Sequence, residues 1–204
     1  MHCRLVEATI LADRMETAVD NLKTNSVPRL NELPGFRGAY WMADRTAGKM
    51  YTATFYDSQE SLEASRDQFA QIRTEGMAAS GAQFDRATEF EVVANTGEKV
   101  STTATHARVT RTKNDPGRFD EAAGAIKSTV IPETQVMKGC QGGFWLADRE
   151  SGEGFGATLW DSADSMQATS APGDEMRARV TASIGSQVTG VLLLEIVVRA
   201  ETPA

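Results

Sequence analysis

The chain has 204 residues, a formal net charge of −7 and only two cysteines, Cys3 and Cys140. No basic stripe is available to neutralise phosphates, so the composition argues against nucleic acid and anionic membranes as partners. The two cysteines lie in unrelated contexts, and a signal-like leader and a long apolar run are both missing, so we expect a cytoplasmic protein without a disulfide framework.

The sequence contains a tandem duplication. Residues 2–93 align with residues 106–197 without a gap, at a constant offset of 104 positions. In the best-matched stretch, GFRGAYWMADR at 35–45 lies over GCQGGFWLADR at 139–149. A single register held over such a length indicates two homologous folding units.

The repeat defines the predicted domains, which are residues 1–94 and 106–199, with a polar linker at 95–105 and a tail at 200–204. A copy of about 90 residues buries only a thin core by itself. We therefore expect the two copies to pack together as an intrachain pseudo-dimer.

In chain order, each copy starts with an alternating β-branched and aliphatic stretch that predicts a strand. The helix that follows begins most clearly in the second copy, where Asp115 can cap it and Pro116 suits its first turn. Pro28 and Pro132 interrupt the two helices at equivalent positions, so we expect a break or kink in each.

The next two strands form a hairpin in each copy. Asp44 and Arg45 lie in its loop, and turn chemistry explains them more simply than function does. Asp57 and its equivalent Asp161 then start a second helix with an acid three residues later. In the second copy, Ser-Ala-Pro-Gly-Asp at 170–174 is expected to interrupt this helix and make the two copies unequal.

A final strand completes the order βαββαβ, which is the ferredoxin-like order. Both helices then cover one face of a four-stranded sheet, and the bare face needs a cover. The fold class predicted is therefore α+β, with the ferredoxin-like unit repeated twice to form a single-chain pseudo-dimeric α+β barrel.

Strand alternation divides the candidate residues between two faces. Cys3 and Leu5, with Ala107 and Val109, suit the helix-packed face. The opposite, luminal face would then carry His2, Arg4, Thr54 and Tyr56 in copy one, and His106, Arg108, Thr158 and Trp160 in copy two. The pattern leaves Trp41 and Trp145 without an assigned face.

These luminal residues are candidates for acid-base catalysis and for ligand binding. His2 and His106 are the only histidines and are the candidate acid-base groups. Arg4 and Arg108 could bind a carboxylate or phenolate, or could form buried ion pairs with Glu91 or Glu195. The remaining four candidates for ligand binding are Thr54, Tyr56, Thr158 and Trp160, of which the two aromatic residues could instead be packing.

The stretch at 35–62 and its partner at 139–166 resemble the antibiotic biosynthesis monooxygenase group of the dimeric α+β barrel superfamily. The resemblance covers both copies and implies a barrel fused into one chain, where most members use two chains. It implies activities that range from cofactor-free oxidation of aromatic compounds to haem degradation, and it includes proteins of no known activity.

The resemblance also allows a comparison with the haem-degrading members of this group. Trp160 occupies the place of a functional tryptophan in haem-degrading relatives, with Tyr56 replacing it in copy one. Those relatives carry a histidine on the following helix, and residues 58–80 and 162–183 contain none. We therefore expect no haem degradation. The sequence also contains no HExxH motif, no CxxC motif and no histidine cluster within one copy, so we expect no cofactor and no metal site.

The leading hypothesis is a small-molecule protein that binds an aromatic or anionic metabolite, and any catalysis would be a cofactor-free monooxygenase reaction. The alternative is a non-catalytic binding or stress-response barrel. A third interpretation keeps one functional copy and one scaffold copy. Further homodimerisation through outer sheet edges also remains open.

Overall fold

The computed structural model describes residues 1–96 and 100–201. Its strands are β1 (His2–Thr9), β2 (Phe36–Asp44), β3 (Lys49–Tyr56), β4 (Gln83–Asn95), β5 (His106–Lys113), β6 (Cys140–Ala147), β7 (Glu153–Trp160) and β8 (Gln187–Glu201). Its α-helices are α1 (Met15–Asn21), α2 (Val27–Leu30), α3 (Gln59–Ala64), α4 (Arg66–Ser80), α5 (Phe119–Ala125), α6 (Ile131–Gln135), α7 (Ala163–Ala168) and α8 (Ser170–Ile184). Parts of the predicted linker, 97–99, and of the predicted tail, 202–204, lie outside the described residues.

The βαββαβ order is confirmed in both copies. Edge to edge, the strands follow the order β1-β3-β2-β8-β5-β7-β6-β4, and the sheet closes on itself. The predicted fold class is therefore confirmed. In this order the last strand of each copy pairs with both copies, because β8 lies between β2 and β5 and β4 lies between β6 and β1. The ends of β4 and β8 are therefore exchanged between the copies.

The chain forms two compact units, one of Met1–Phe90 with the chain from Glu195 onward, and one of Glu91–Leu194. In the first unit, β2 pairs antiparallel with the end of β8, from Gly38↔Glu201 to Ala43↔Glu195. In the second unit, β6 pairs in the same way with the end of β4. Each unit thus completes its sheet with the last strand of the other repeat.

Both predicted proline breaks take the form of π-helical segments instead of interruptions. Leu22–Ser26 precedes Pro28, and Ile126–Val130 precedes Pro132. Proline has no N–H to donate and its ring crowds the carbonyl four residues back, so the helix widens by one residue and then continues into α2 or α6. The helical region ends before Gly35, whose positive φ of 63° suits glycine.

The expected interruption of the second helix in copy two is wrong. Helices α7 and α8 have the same lengths as α3 and α4, and each pair is separated by one residue, Ser65 or Thr169. Pro172 lies in the first turn of α8, where its missing N–H costs no helical hydrogen bond. The predicted caps Asp57 and Asp161 are also displaced by one position, because the adjacent serines accept the capping hydrogen bonds.

The hairpin loops follow the predicted turn chemistry. Asp44 accepts a hydrogen bond from the backbone N–H of Ala47, and Asp148 accepts one from the N–H of Glu150. Gly48 and Gly152 have positive φ angles of 62° and 73°. These contacts make the repeated Asp-Arg pair part of the turn, as the structural interpretation held.

Candidate functional site

The arginine of strand one faces the helices in both units, so the predicted luminal orientation of Arg4 and Arg108 is wrong. Both side chains are buried, with 3 % and 5 % of their surface exposed. Their guanidinium groups contact the junctions between α3 and α4 and between α7 and α8. The alternation of strand one does separate two faces, but the arginines lie on the helix-packed face, so Cys3 and Leu5, with Ala107 and Val109, lie on the opposite one.

In the first unit, Arg4 holds the junction of α3 and α4. Its Nη2 donates to the carbonyl oxygen of Leu62 at 2.8 Å, and its Nη1 lies 3.4 Å from Oγ of Ser65. Carbonyls at a helix C-terminus lack intrahelical partners and carry partial negative charge, so a guanidinium stabilises them. Nε and Nη2 also donate to one carboxylate oxygen of Glu89, at 3.3 Å and 3.1 Å.

In the second unit, Arg108 occupies the equivalent place with different partners. It donates to the carbonyl oxygens of Met166 and Thr169 and, from Nη2, to Oγ of Ser170 at 3.1 Å. Within 1–96 and 100–201, no carboxylate forms an ion pair with Arg108, and no residue accepts a hydrogen bond from its Nε. The helix junction is therefore held in the same way, but the only carboxylate charge that favours the Arg108 cation among the described residues is that of Asp174, which lies beyond ion-pair distance.

Three repeat differences explain this change. Glu89 is replaced by Leu193, and Arg66, which also pairs with Glu89 at 3.0 Å, is replaced by Ser170. Phe69, whose ring centroid lies 4.7 Å from the Arg4 guanidinium carbon, is replaced by Gly173. The second unit has therefore lost the carboxylate, the second cation and the Phe69 ring, while Trp160 remains beside the Arg108 guanidinium.

Each unit has a cavity between its helices and its sheet, of about 70 Å³ in the first and about 130 Å³ in the second. Arg108 lines the larger cavity, whereas Arg4 is not among the described residues that line the smaller one. Gly154, Gly156 and Gly173 line the larger cavity. The first unit has the bulkier Met50, Thr52 and Phe69 at those positions. The loss of these side chains accounts for the larger space.

The tryptophans left unassigned by the sequence face the helices. Trp41 lines the cavity of the first unit, and Trp145 lines that of the second. Trp145 fits there because its ring lies against Gly156, where a Cβ atom would come within 2.7 Å of the indole. The sequence pattern hid this orientation, since both neighbours of each tryptophan are also buried.

Of the predicted ligand-binding residues, Thr158 and Trp160 line the cavity of the second unit together with Arg108. Trp160 donates from Nε1 to Oγ1 of Thr158 at 3.1 Å, and its ring lies 5.3 Å from the Arg108 guanidinium carbon. Thr54 and Tyr56, their first-unit equivalents, are fully buried and are not among the described lining residues of the smaller cavity. The structure therefore brings the predicted set together at a cavity only in the second unit.

A second arginine, Arg177 of α8, also lines the larger cavity and was not singled out from the sequence. Its Nε donates to Oγ1 of Thr110 at 3.0 Å, and its Nη1 pairs with the exposed carboxylate of Asp174 at 2.6 Å. Burial lowers the pKa of Arg108, and the neighbouring positive charge of Arg177 adds to this. The cavity therefore has a positively charged polar side and an otherwise apolar wall.

The histidines lie away from both cavities, since neither is among the described lining residues. Nδ1 of His106 is 2.9 Å from Oγ1 of Thr105. Nδ1 of His2 is buried without a hydrogen-bond partner among the described residues. His106 shares the helix-facing side of β5 with Arg108, because the two are separated by one residue along the strand.

The ion pairs proposed with Glu91 and Glu195 do not form. Glu91 pairs with Arg149 at 2.8 Å, and Glu195 pairs with Arg45. Both arginines belong to the hairpin loops, so the ends of β4 and β8 are tied to the turns of the strands with which they pair. Arg4 instead takes its carboxylate from Glu89.

The described residues contain no cluster of three or more His, Cys, Asp or Glu side chains that could hold a metal ion. Haem does not fit either cavity, because no described histidine lines them to serve as an axial ligand. Their volumes are also below the roughly 300 Å³ at which pockets for larger ligands begin. None of the described helices is both long enough and apolar enough to cross a membrane.

Comparison with known proteins supports the architecture. No protein-family profile matches the chain. The uncharacterized protein Rv2557 of Mycobacterium tuberculosis is 25% identical over 153 residues, which cover 75% of this chain and 68% of that protein. A structure from Lactobacillus acidophilus, provisionally named a monooxygenase, superposes with a TM-score of 0.70 at 9% identity and covers 100% of this chain and 97% of its own.

Two further structures share the architecture. An anthrone oxidase-like protein has a TM-score of 0.65 at 14% identity, covering 100% of this chain and 94% of its own. The haem-degrading enzyme of Listeria monocytogenes has a TM-score of 0.51 at 6% identity, covering 95% and 99%. The chain has the dimeric α+β barrel fold in a fused, two-copy form. At such low identities the likeness establishes this fold and leaves the reaction open.

Proposed function

We propose that this protein binds a small aromatic or anionic metabolite in the cavity of its second unit. The observation that carries the proposal is the combination of an apolar cavity of about 130 Å³ with the buried Arg108 guanidinium on its wall. Ligand pockets are typically apolar with a few polar groups that fix orientation. Trp160 and Thr158 supply an aromatic surface and a hydroxyl beside that arginine.

If the protein is an enzyme, the reaction that we propose is a cofactor-free oxidation. A base removes the proton of an electron-rich phenol, and the carbanion-like anion reacts with dioxygen. One oxygen atom enters the ring and the other leaves as water, so a phenol and dioxygen give a quinone and water. Arg108 would stabilise the phenolate, and His106, on the same strand face, is the proposed base. Arg4 and His2 occupy the equivalent positions in the first unit, where neither is among the described residues that line the cavity.

A non-catalytic binding protein is the second candidate. The position of the histidines favours it, because neither is among the described residues that line a cavity. The helix-capping contacts of Arg4 and Arg108 also give both arginines a structural role. Binding without turnover would then be the whole activity.

Native mass spectrometry of freshly purified protein, followed by oxygen uptake with electron-rich phenols, tests these proposals. A co-purified small molecule, or a binding phenol that is displaced by Gly156→Thr, would support the cavity as the site. Oxygen uptake that His106→Asn lowers would support the oxidation, and binding without uptake would support the non-catalytic candidate. The absence of any bound molecule and of any binding phenol would contradict both.

A further inference from the structure

The Nε edge of the Arg108 guanidinium has no hydrogen-bond acceptor among the described residues, whereas the same edge of Arg4 in the first unit has one. There, Nε and Nη2 of Arg4 point at one carboxylate oxygen of Glu89, at 3.3 Å and 3.1 Å. In the second unit Leu193 stands at the position of Glu89, and no described residue accepts from Nε of Arg108. The first unit therefore supplies its own carboxylate to the arginine, and the second unit does not.

The packing around the guanidinium also differs between the units. Phe69 covers the Arg4 guanidinium, whereas the Arg108 guanidinium lies so close to Gly173 that a Cβ atom there would come within 2.8 Å of Nη1. A buried cation without a carboxylate in contact is costly, and the helix carbonyls together with the more distant Asp174 compensate for only part of a full charge. Retaining the arginine while removing its carboxylate and replacing Phe69 by glycine is the pattern expected of a site that receives an anion.

The cavity limits the size of that anion. A cavity of about 150 Å³ in an engineered protein holds one benzene molecule, and the cavity of the second unit has about 130 Å³. The size of the cavity is therefore closest to that of a single ring or an aliphatic chain of similar volume. The side chains missing at Gly154 and Gly156 define where this apolar body would lie.

We propose that the second unit selects a compact monocarboxylate with one aromatic ring or an aliphatic body of similar size. The ligand carboxylate would take the place that Glu89 occupies in the first unit, against the Nε edge of Arg108. The first unit, whose arginine is already paired, would not bind this ligand. This inference rests on the proposed function, because it names the ligand class of the same cavity.

The test restores the missing carboxylate. Leu193→Glu should reproduce the first unit's internal ion pair and compete with the ligand, and Leu193→Gln is the matched uncharged control. Leu193 is exposed, with 46% of its surface accessible, so both variants should fold. Truncating Arg108 itself is less informative, because this also removes the contacts that hold α7 and α8.

The probes are benzoate and its uncharged analogue benzyl alcohol, titrated into the full chain by calorimetry or NMR. We expect benzoate to bind about tenfold more tightly than benzyl alcohol, since a charge-assisted contact is roughly twice as strong as a neutral one. Leu193→Glu should weaken benzoate by about tenfold and leave benzyl alcohol unchanged, while Leu193→Gln should change neither by more than about twofold.

The outcomes separate this inference from the proposed function. Equal binding of the two probes, or benzoate binding that Leu193→Glu does not weaken, would overturn anion selection but leave the cavity as a binding site. If neither probe binds the folded protein at millimolar concentration, the selection of one-ring carboxylates is wrong. The phenol and mass-spectrometry experiments then decide separately whether the cavity binds any other molecule.

Discussion

At the scale of single residues, the arginine of strand one has the same structural role in both units, but its charge partner differs between them. In both units it donates to carbonyls at the junction of two helices. In the first unit alone, it is also paired with a carboxylate. Both repeats keep the stabilising contact, and only one keeps the charge partner. A duplicated scaffold can acquire a binding site in this way without losing its fold.

Arg4→Ala tests the structural role. It removes contacts to Leu62, Ser65 and Glu89 in one step. We expect a loss of about 2 to 3 kcal/mol in the free energy of unfolding, below the value for a fully buried pair because Glu89 is partly exposed. Urea denaturation measures it. Arg66→Ala, an exposed partner of the same glutamate, should cost below about 1 kcal/mol, and equal losses would contradict the capping role.

At the scale of elements, the strands and turns behave as their sequence predicts, and the helices reveal what the repeat comparison missed. The proline positions produce π-helical segments, and the junction of α7 and α8 exists in α3 and α4 without any proline. The sequence of 170–174 therefore changes the cavity wall through Gly173, while the course of the helix stays the same.

The two helical glycines of the second unit test this distinction. Gly124 of α5 is exposed with open space around it, so Gly124→Ala should stabilise the protein by about 0.5 to 1 kcal/mol through helix propensity. Gly173→Ala should bring no such gain, because its Cβ would press on Nη1 of Arg108. Urea denaturation of the two variants measures the difference. An equal increase in the free energy of unfolding at both positions would mean that the Arg108 side chain can move away from a new Cβ atom without an energetic cost.

At the scale of the whole molecule, the strand exchange makes each unit depend on both repeats. The end of β8 completes the sheet beside β2, and the end of β4 completes that beside β6. A fragment of one repeat therefore exposes an unpaired β2 edge and carries a β4 end without a partner, and such edges pair with other chains.

A fragment of residues 1–96 should consequently dimerise. Two fragments can satisfy each other by placing the end of β4 on the β2 edge, as β4 pairs with β6 in the intact chain. Size-exclusion chromatography with light scattering would report twice the fragment mass. A fragment that stops at residue 90 lacks the exchanged end and should lose this dimer. A folded monomer of residues 1–96 would show that the exchange is not required.

The stability of the whole molecule should fall in acid. The hydrogen bond from Lys49 holds the pKa of Asp85 below its usual range, and the hydrogen bond from Arg29 does the same for Glu75. A carboxyl whose pKa is lower in the folded state contributes stability above its unfolded pKa, about 4, and loses this contribution as pH falls through the folded value.

Urea midpoints measured from pH 7 to pH 2 should thus be flat, as far as these groups are concerned, down to about pH 5 and decline below about pH 4. Asp85→Asn should make the decline shallower, because its contact with Lys49 no longer depends on a carboxylate. A midpoint that rises on acidification below pH 4 would show that other groups dominate the acid response.

The repeat, the order of the elements, the turn chemistry at Asp44 and Asp148 and the fold could all be predicted from the sequence alone. These follow from local propensity and from a register that can be read along the chain. The sequence named Arg108, Thr158 and Trp160, but on the wrong face of the sheet. It did not single out Arg177, although that arginine is repeated at Arg73, because a charged residue on a helix is usually solvated.

The face of strand one that the helices cover became evident only in the folded chain. Alternation with a period of two separates a strand into two sets of side chains, but both sets here contain apolar and polar residues, so the pattern alone cannot orient them. An arginine packs its apolar stem under a helix and satisfies its charge at helix carbonyls, which are contacts between residues about 60 positions apart. The difference between a paired Arg4 and an unpaired Arg108, and the cavity beside it, therefore emerged only when distant segments were brought together.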